Sequence, residues 1–178
     1  MPRLGGNCVF NVGTMEWNGG VVLMARVAGW DRKSFFAVAD CKNGVDNFQF
    51  WDFPVFMPEL ADKETNLYDM RLVRREDGWI YGLFCAVRHN DSTPRNLSAG
   101  IARSKDLVNW EPLADLKTPA LQQRNCVLHP EFETGKYGFY TRPLNEFAAT
   151  GSGGGIGWGL VEDSTKAKMK RGFNAAQR

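Results

Sequence analysis

Residues 64–84, ETNLYDMRLVRREDGWIYGLF, decide the fold of this protein. Residues 70–75 mix apolar and charged side chains in the manner of a half-buried β-strand. Residues 79–87 form a second and more apolar run, and Asp77-Gly78 stands between the two. An Asp-Gly pair between two such runs predicts a tight β-hairpin, with Asp69 near the start of its first strand.

The same unit recurs before and after this stretch. The hairpin glycines Gly20, Gly78 and Gly135 are spaced by 58 and 57 residues, and Gly100 and Gly157 repeat the interval of 57. Each unit contains three or four strand-like runs, and helical periodicity is almost absent. A fixed period of this length, filled by short strands, predicts the blades of an all-β propeller.

Three such units are too few to close a ring, because propellers usually have four to eight blades. We therefore expect an incomplete arc of about two and a half to three blades, in which open sheet edges favour pairing with another chain. Association of this chain with copies of itself, as a homo-oligomer, is therefore one possibility that the sequence leaves open. The predicted division is a partial propeller domain at residues 1–163, with repeats at about 4–60, 61–120 and 121–163, and a divergent basic tail at 164–178.

The composition excludes several classes of partner. The chain has 178 residues and a net charge of +2, so electrostatics give no reason to expect nucleic acid or an anionic membrane surface as a partner. No apolar run approaches the length of a membrane span. The four cysteines lack metal-ligand spacing and there are only two histidines, which predicts no metal site and reduced thiols in a cytoplasmic protein.

Polar side chains recur in register in successive units. Equivalent positions of neighbouring blades converge on the axis of a propeller, so we expect these side chains to face one shared pocket. Each residue taken alone is equally well explained as a solvent-exposed polar residue at the end of a strand. The recurring residues are Asn11, Asp69 and Cys126, nine residues before each hairpin glycine and near the expected start of each inner strand, with Arg124 just before the last of them, and Arg26, Arg88 and Arg142 at the ends of the second strands.

Several runs of the chain resemble glycoside hydrolase family 130, among them NLYDMRLVRREDGWIYGLFCAVRH, AGIARSKDLVNWE and QQRNCVLHPEF. The resemblance extends over residues 4–163, through loops as well as strands. It implies a five-bladed β-propeller that cleaves β-mannosides with inorganic phosphate and inverts the anomeric carbon. The branch that the chain resembles converts β-1,4-mannosyl-glucose to α-mannose 1-phosphate and glucose, with phosphate as co-substrate and no cofactor.

The resemblance also implies roles for single residues. Asp69, in YDMR, matches the catalytic acid. Typical members carry a further N-terminal segment and about two further blades, so the resemblance implies a truncated form. The region that binds the mannosyl unit is matched by Asn11, Arg26, Asp31, Arg32 and Lys33, and the arginines that bind phosphate are matched by Arg124 and Arg142.

One acid together with several arginines suits phosphorolysis better than hydrolysis. An inverting hydrolase needs a second carboxylate to activate water, whereas phosphate is already an anionic nucleophile. Arginine forks match phosphate oxygens bidentately. Beside Asp69, burial against Tyr68 would favour the protonated acid and the nearby charge of Arg71 would favour the ionised form, and the sequence does not decide between the two. Two alternatives stay open, namely a hydrolase relative that uses water and an inactive fragment with at most weak sugar binding.

Overall fold

A computed structural model describes residues 4–58, 64–88, 96–118, 123–133, 135–142, 156–162 and 173–174. These residues form twelve β-strands in three four-stranded antiparallel sheets, which confirms the prediction of antiparallel four-stranded blades. No helix in this part of the chain has the length and apolar character that a membrane crossing requires.

Each sheet is a meander in which strands pair in chain order. The first contains β1 (Gly6–Trp17), β2 (Gly20–Gly29), β3 (Ser34–Cys41) and β4 (Gln49–Pro54). The second contains β5 (Glu64–Arg74), β6 (Ile80–Arg88), β7 (Asn96–Ser104) and β8 (Trp110–Leu116). The third contains β9 (Val127–Glu133), β10 (Lys136–Thr141), β11 (Gly157–Val161) and β12 (Phe173–Asn174).

The last strand of the third sheet comes from the segment at 164–178 that the sequence analysis set apart as a tail. The two residues of β12 pair with Trp158 and Gly157 of β11. Two residues of that segment therefore complete the third sheet. The division after residue 163 stays a prediction, because the residues around it lie outside the described part of the chain.

The first hairpin turns on Asn18-Gly19, which are the first two residues of the predicted turn Asn18-Gly19-Gly20, but the prediction that the hairpin is built on Gly20 itself is wrong. Asn18 and Gly19 have φ angles of 49° and 75°, while Gly20 opens β2. Two consecutive left-handed residues make the type I′ turn that suits the twist of a hairpin, and Asn-Gly is a dipeptide that favours it. Gly78 and Gly135, with φ angles of 74° and 77°, turn the other two hairpins as predicted.

Asn11 and Asp69 lie inside the inner strands, although the sequence analysis placed them where these strands begin. β1 begins at Gly6 and β5 begins at Glu64. A β-bulge interrupts the pairing at each of the two positions without ending the strand. Only the third inner strand begins as predicted, at the residue after Cys126.

The second sheet is buried on both faces, and this explains the continuous apolar run of β6. Ile80 and Phe84 pack toward the first sheet, whereas Tyr81 and Leu83 pack toward the third. Because alternate residues of a strand face opposite sides of its sheet, a strand covered on both sides must be apolar at every position. The first-sheet partners in this packing are Val22, Met24, Phe36 and Val38, and the third-sheet partners are Cys126, Leu128, Phe139 and Val161.

The inner strands β1, β5 and β9 are neighbours along the arc. A Cβ atom at Gly13 of β1 would lie 2.1 Å from the backbone oxygen of Met70 in β5, so the two backbones nearly touch there. On the other side, Arg75 is buried and its Nη1 donates to the backbone oxygens of His129 and Pro130, at 3.2 and 2.9 Å. A close backbone approach therefore sets the spacing of β1 and β5, and the side chain of Arg75 joins the second sheet to the backbone of β9.

Asp106 organises the turn between β7 and β8. Its carboxylate accepts hydrogen bonds from the side chain and backbone nitrogen of Asn109, both at 2.7 Å, and from the backbone nitrogen of Val108 at 2.9 Å. Burial would raise the pKa of this carboxyl, but the hydrogen bonds outweigh burial and lower the pKa to about 2.

The first prediction concerns this turn. We expect Asp106→Asn to lower the free energy of unfolding by about 1 kcal/mol at neutral pH, a value reduced because the carboxylate is exposed to solvent. Since its pKa in the folded protein lies below the ordinary 3.8, the contribution is complete above that value and is lost as the pH falls toward 2. Urea unfolding at a series of pH values should show the difference between variant and wild type shrinking in acid. The exposed Glu76→Gln serves as the control, and a difference that is constant with pH would contradict the assignment.

Candidate active site

Asp69 lies at a bulge in β5. The register between β5 and β6 shifts between Tyr68 and Arg71, and Asp69 has a φ of 56°. This left-handed conformation costs a non-glycine residue about 1 kcal/mol or more and persists only where the surrounding structure enforces it. Bulges re-aim side chains and are frequent beside active sites. The backbone of Asp69 therefore points to a functional carboxylate.

Asn11 occupies the corresponding bulge of β1, where the register shifts between Phe10 and Val12. Its Nδ2 donates a hydrogen bond of 2.9 Å to Oδ2 of Asp69, between residues 58 positions apart in the chain. This contact forms because β1 and β5 are neighbouring inner strands. The structure thus brings together two of the residues that the repeat placed in register.

Arg26 of β2 reaches the other oxygen of the same carboxylate. Its Nη1 lies 3.4 Å from Oδ1 of Asp69, which is longer than a typical charge-assisted hydrogen bond. The guanidinium lies 4.0 Å from the ring centroid of Tyr68 and 4.8 Å from that of Phe10. Its Nε also donates to Oγ of Ser34, at 3.3 Å. The aromatic rings and the hydroxyl hold Arg26 in place beside the carboxylate.

Arg71, the charged residue nearest to Asp69 in the sequence, makes no ion pair with its carboxylate in the described structure. The Nη1 of Arg71 donates instead to the backbone oxygen of Val12 and so ties β5 to β1. In a regular strand, residues two apart share a face, but the bulge between Tyr68 and Arg71 breaks this alternation. The charge comes from Arg26 of the first sheet instead.

The sequence prediction placed Tyr68 beside Asp69 but missed Phe10 and the contact of both rings with Arg26. Phe10 directly precedes Asn11, and Tyr68 directly precedes Asp69. The pair of an aromatic and a polar residue therefore repeats with the same interval of 58 residues as the polar residues alone. That repeat is the signal that could have identified both aromatic side chains.

Asp31, Arg32 and Lys33 form the turn between β2 and β3, and all three are exposed. Oδ1 of Asp31 accepts a hydrogen bond from the backbone nitrogen of Lys33 at 3.0 Å, and Arg32 has a φ of 66°. Ser34, the next residue, contacts Arg26 and donates its backbone nitrogen to Asn66 of β5 at 2.9 Å. The turn therefore adjoins the site, but no hydrogen bond or ion pair in the described structure joins its three side chains to the carboxylate of Asp69.

Arg124 and Arg142 lie at one end of the third sheet, and both are exposed. Burial raises the pKa of the Cys126 thiol to about 12, although a hydrogen bond from the backbone of Arg142 opposes this rise and the neighbouring Cys85 adds to it. The segments that carry the two arginines therefore meet at Cys126, whose protonated thiol is inert. Cys85 pairs with Tyr68 across β5 and β6, which connects this end of the third sheet to the bulge.

Two further predictions concern a metal site and Arg88. Among the residues that the structure describes, no group of three or more His, Cys, Asp or Glu side chains could hold a metal ion. Arg88, the third arginine in register, is the last residue of β6, and its side chain lies outside the described part of the chain.

Comparison with known sequences confirms the resemblance inferred from the sequence. The chain is 57% identical over 175 residues to a 4-O-β-D-mannosyl-D-glucose phosphorylase from Bacteroides fragilis. The match covers 95% of this chain and 45% of the relative, so the chain spans less than half of that relative's length. No protein-family model matches the sequence.

Solved structures confirm the predicted fold class. The chain is similar to a β-1,2-mannobiose phosphorylase from Listeria innocua, with a TM-score of 0.74 and 16% identity over 93% of this chain and 58% of that one. It is also similar to a thermostable family-43 glycoside hydrolase, with a TM-score of 0.69 and 12% identity over 99% of this chain and 59% of that one. At these identities the likeness shows the fold alone, an all-β arc of a five-bladed β-propeller.

Proposed function

We propose that this chain carries the acid-bearing part of the active site of an inverting mannoside phosphorylase. The proposed reaction converts β-1,4-mannosyl-glucose and inorganic phosphate to α-mannose 1-phosphate and glucose. The observation that carries the proposal is the Asp69 carboxylate, which a strained bulge presents between two inner strands and which Asn11 and Arg26 contact. The 57% identity to a mannosyl-glucose phosphorylase supports the substrate class.

Asp69 acts as the general acid in this proposal. It gives its proton to the glycosidic oxygen while the bond from that oxygen to the anomeric carbon breaks, and glucose leaves with the bonding electrons. An oxygen of hydrogen phosphate forms the new bond from the opposite face, so the configuration inverts. The proton that remains on the phosphate passes to solvent, and water returns a proton to Asp69 after the products leave. The side chain of Asp69 is 14% exposed, which leaves it accessible to a substrate but largely screened from bulk water.

Asn11 and Arg26 have a positioning role toward this acid, one on each carboxylate oxygen. Both belong to the first sheet, so the acid of one blade is aligned by its neighbour. We include Asn11, Arg26 and the turn residues Asp31, Arg32 and Lys33 as the proposed contacts to the mannosyl unit. The location of this turn directly before Ser34, which contacts Arg26, supports its inclusion.

The proposed partners are the disaccharide and phosphate, and the proposed location is the cytoplasm, where inorganic phosphate is abundant. The mechanism requires no metal and no cofactor, because the acid is a side chain and the nucleophile is the co-substrate. Arg124 and Arg142 are the proposed phosphate ligands, supported by the meeting of their segments at Cys126.

Phosphate dependence tests the proposed function. The 178-residue chain is assayed alongside a chimera in which it replaces the matching segment of the Bacteroides fragilis relative. Each is incubated with mannosyl-glucose, with and without phosphate, and the products are followed by proton and phosphorus NMR. α-Mannose 1-phosphate that forms only with phosphate supports the proposal. Mannose release without phosphate would instead identify a hydrolase, and a folded chimera that yields no product would identify an inactive fragment.

The second prediction concerns the arginines. In whichever of these two proteins shows phosphorolysis, we expect Arg124→Gln and Arg142→Gln each to raise the KM for phosphate by about 10- to 100-fold. Each substitution removes a charge-assisted hydrogen bond to phosphate. The KM for mannosyl-glucose should change much less. Initial rates with each substrate varied separately measure the two constants. Arg103→Gln, on the outer part of the second sheet, is the matched control, and equal rises in both constants would contradict a phosphate role.

A further inference from the structure

A cavity lies at the end of the first sheet that is remote from Asp69. It has a volume of about 570 Å³ and is lined by the β1–β2 hairpin, the end of β3 and the segment that follows β3. Trp17 lines it and is six residues from Asn11 along β1, which corresponds to about 20 Å in an extended strand. An adjoining cavity of about 550 Å³ shares Trp17 and Asn43 with the first and extends to Arg74. These volumes lie in the range of small-molecule sites.

The walls of the cavity combine an aromatic ring with fixed polar groups. Trp17 is half-buried against the interface between the first two sheets, and the guanidinium of Arg74 lies 4.9 Å from its ring. Asp40 and Gln49 are paired neighbours on β3 and β4. Oδ1 of Asp40 accepts a hydrogen bond of 3.1 Å from the indole nitrogen of Trp51, which fixes the carboxylate.

The loop between β3 and β4 is ordered by its own side chains. Oδ1 of Asn43 accepts hydrogen bonds from the backbone nitrogens of Val45 and Asp46, at 3.0 and 3.1 Å. Oδ1 of Asp46 accepts from the side-chain amides of Asn43 and Asn47, at 2.7 and 2.9 Å. Because this loop is already ordered, less conformational entropy of the protein is lost when a ligand binds.

We propose that this cavity is a second, non-catalytic binding site for a neutral saccharide built from pyranose units. Sugar hydroxyls both donate and accept hydrogen bonds, and the walls offer acceptors on Asp40 and Asp46 and donors on Lys42 and Gln49. Trp17 supplies an apolar face, as tryptophan does in sites that are partly wet.

The charges around the two cavities favour a neutral ligand. Three carboxylates and two cations line them, so neither a phosphorylated sugar nor a cation gains a large electrostatic attraction. The lining charges are Glu16, Asp40, Asp46, Lys42 and Arg74. This inference does not rest on the proposed function, because it uses none of the residues around Asp69.

Saccharide titration followed by saturation-transfer NMR tests the proposal. The 178-residue chain in an Asp69→Asn background is titrated with β-1,4-mannobiose and with cellobiose to about 20 mM, a range suited to millimolar affinity. The background removes turnover, and variants of the cavity that lies away from Asp69 distinguish binding there from binding at the first site. Gln49→Ala and Lys42→Ala are the test variants, because both side chains are exposed and make no hydrogen bond to other described residues. Glu76→Ala is the control, and circular dichroism confirms that each protein is folded.

We expect at least one of the two saccharides to bind, and Gln49→Ala and Lys42→Ala each to weaken this binding by at least fivefold, while Glu76→Ala leaves it unchanged. The proposal is overturned if the folded protein binds neither saccharide at the highest concentration. It is equally overturned if both test variants bind as tightly as their parent, or if sodium phosphate displaces the saccharide and so identifies an anion site.

Discussion

Replacing Asp69 by asparagine should lower the turnover number of phosphorolysis by about 10²- to 10⁴-fold or more, the range in which general acids contribute. Asparagine keeps the shape of the side chain and can still contact Asn11 and Arg26. It cannot donate a carboxylic proton to the leaving oxygen. The measurement is the turnover number with mannosyl-glucose at saturating phosphate, in the chimera that carries this chain.

A substrate with a better leaving group separates an acid from a structural aspartate. An aryl mannoside with an acidic phenol needs little protonation as it leaves, so the Asp69→Asn protein should cleave it at close to the wild-type rate. Asp77→Asn, in the β5–β6 hairpin of the same sheet, is the matched control and should retain turnover with both substrates. If Asp69→Asn retains near-native turnover with mannosyl-glucose, the residue is structural and the proposed mechanism is wrong.

Replacing Gly13 by alanine should destabilise the folded protein by about 3 kcal/mol or more, at or beyond the upper end of the usual range for overpacking. The new Cβ would lie 2.1 Å from the backbone oxygen of Met70 and 3.1 Å from Cα of Arg71. Both are backbone atoms, which cannot rotate away as the end of a flexible side chain can. The two inner strands must therefore separate, and urea unfolding measures the loss of stability.

The same substitution should also reduce turnover, because Gly13 is two residues from Asn11. Separation of β1 from β5 would lengthen the 2.9 Å contact between Asn11 and Asp69. Thr14→Ala, at the exposed next position of β1, should change neither stability nor turnover by a comparable amount. A Gly13→Ala protein as stable as the wild type would show that the strands can separate without cost.

Local sequence patterns were sufficient to predict the sheets. The turn at Asp77-Gly78, the continuous apolar run of β6 and the repeat near 58 residues are all found in the structure as antiparallel meanders. Turn dipeptides act through their own φ angles, and a run buried on both faces must be apolar throughout, so each feature can be recognised without knowing its distant partners. The repeat also placed Asn11 and Asp69 in register, and the structure joins them.

Only the tertiary structure decided how the site is assembled. It showed that Asp69 lies in a bulge within β5 and that Arg26 and not Arg71 contacts its carboxylate. A bulge depends on the register between two strands, and the contact of Arg26 depends on how closely two sheets approach. The bulge joins residues 12 to 17 positions apart and the contact of Arg26 with Asp69 joins residues 43 positions apart, and the sequence around each residue alone contains no signal for either.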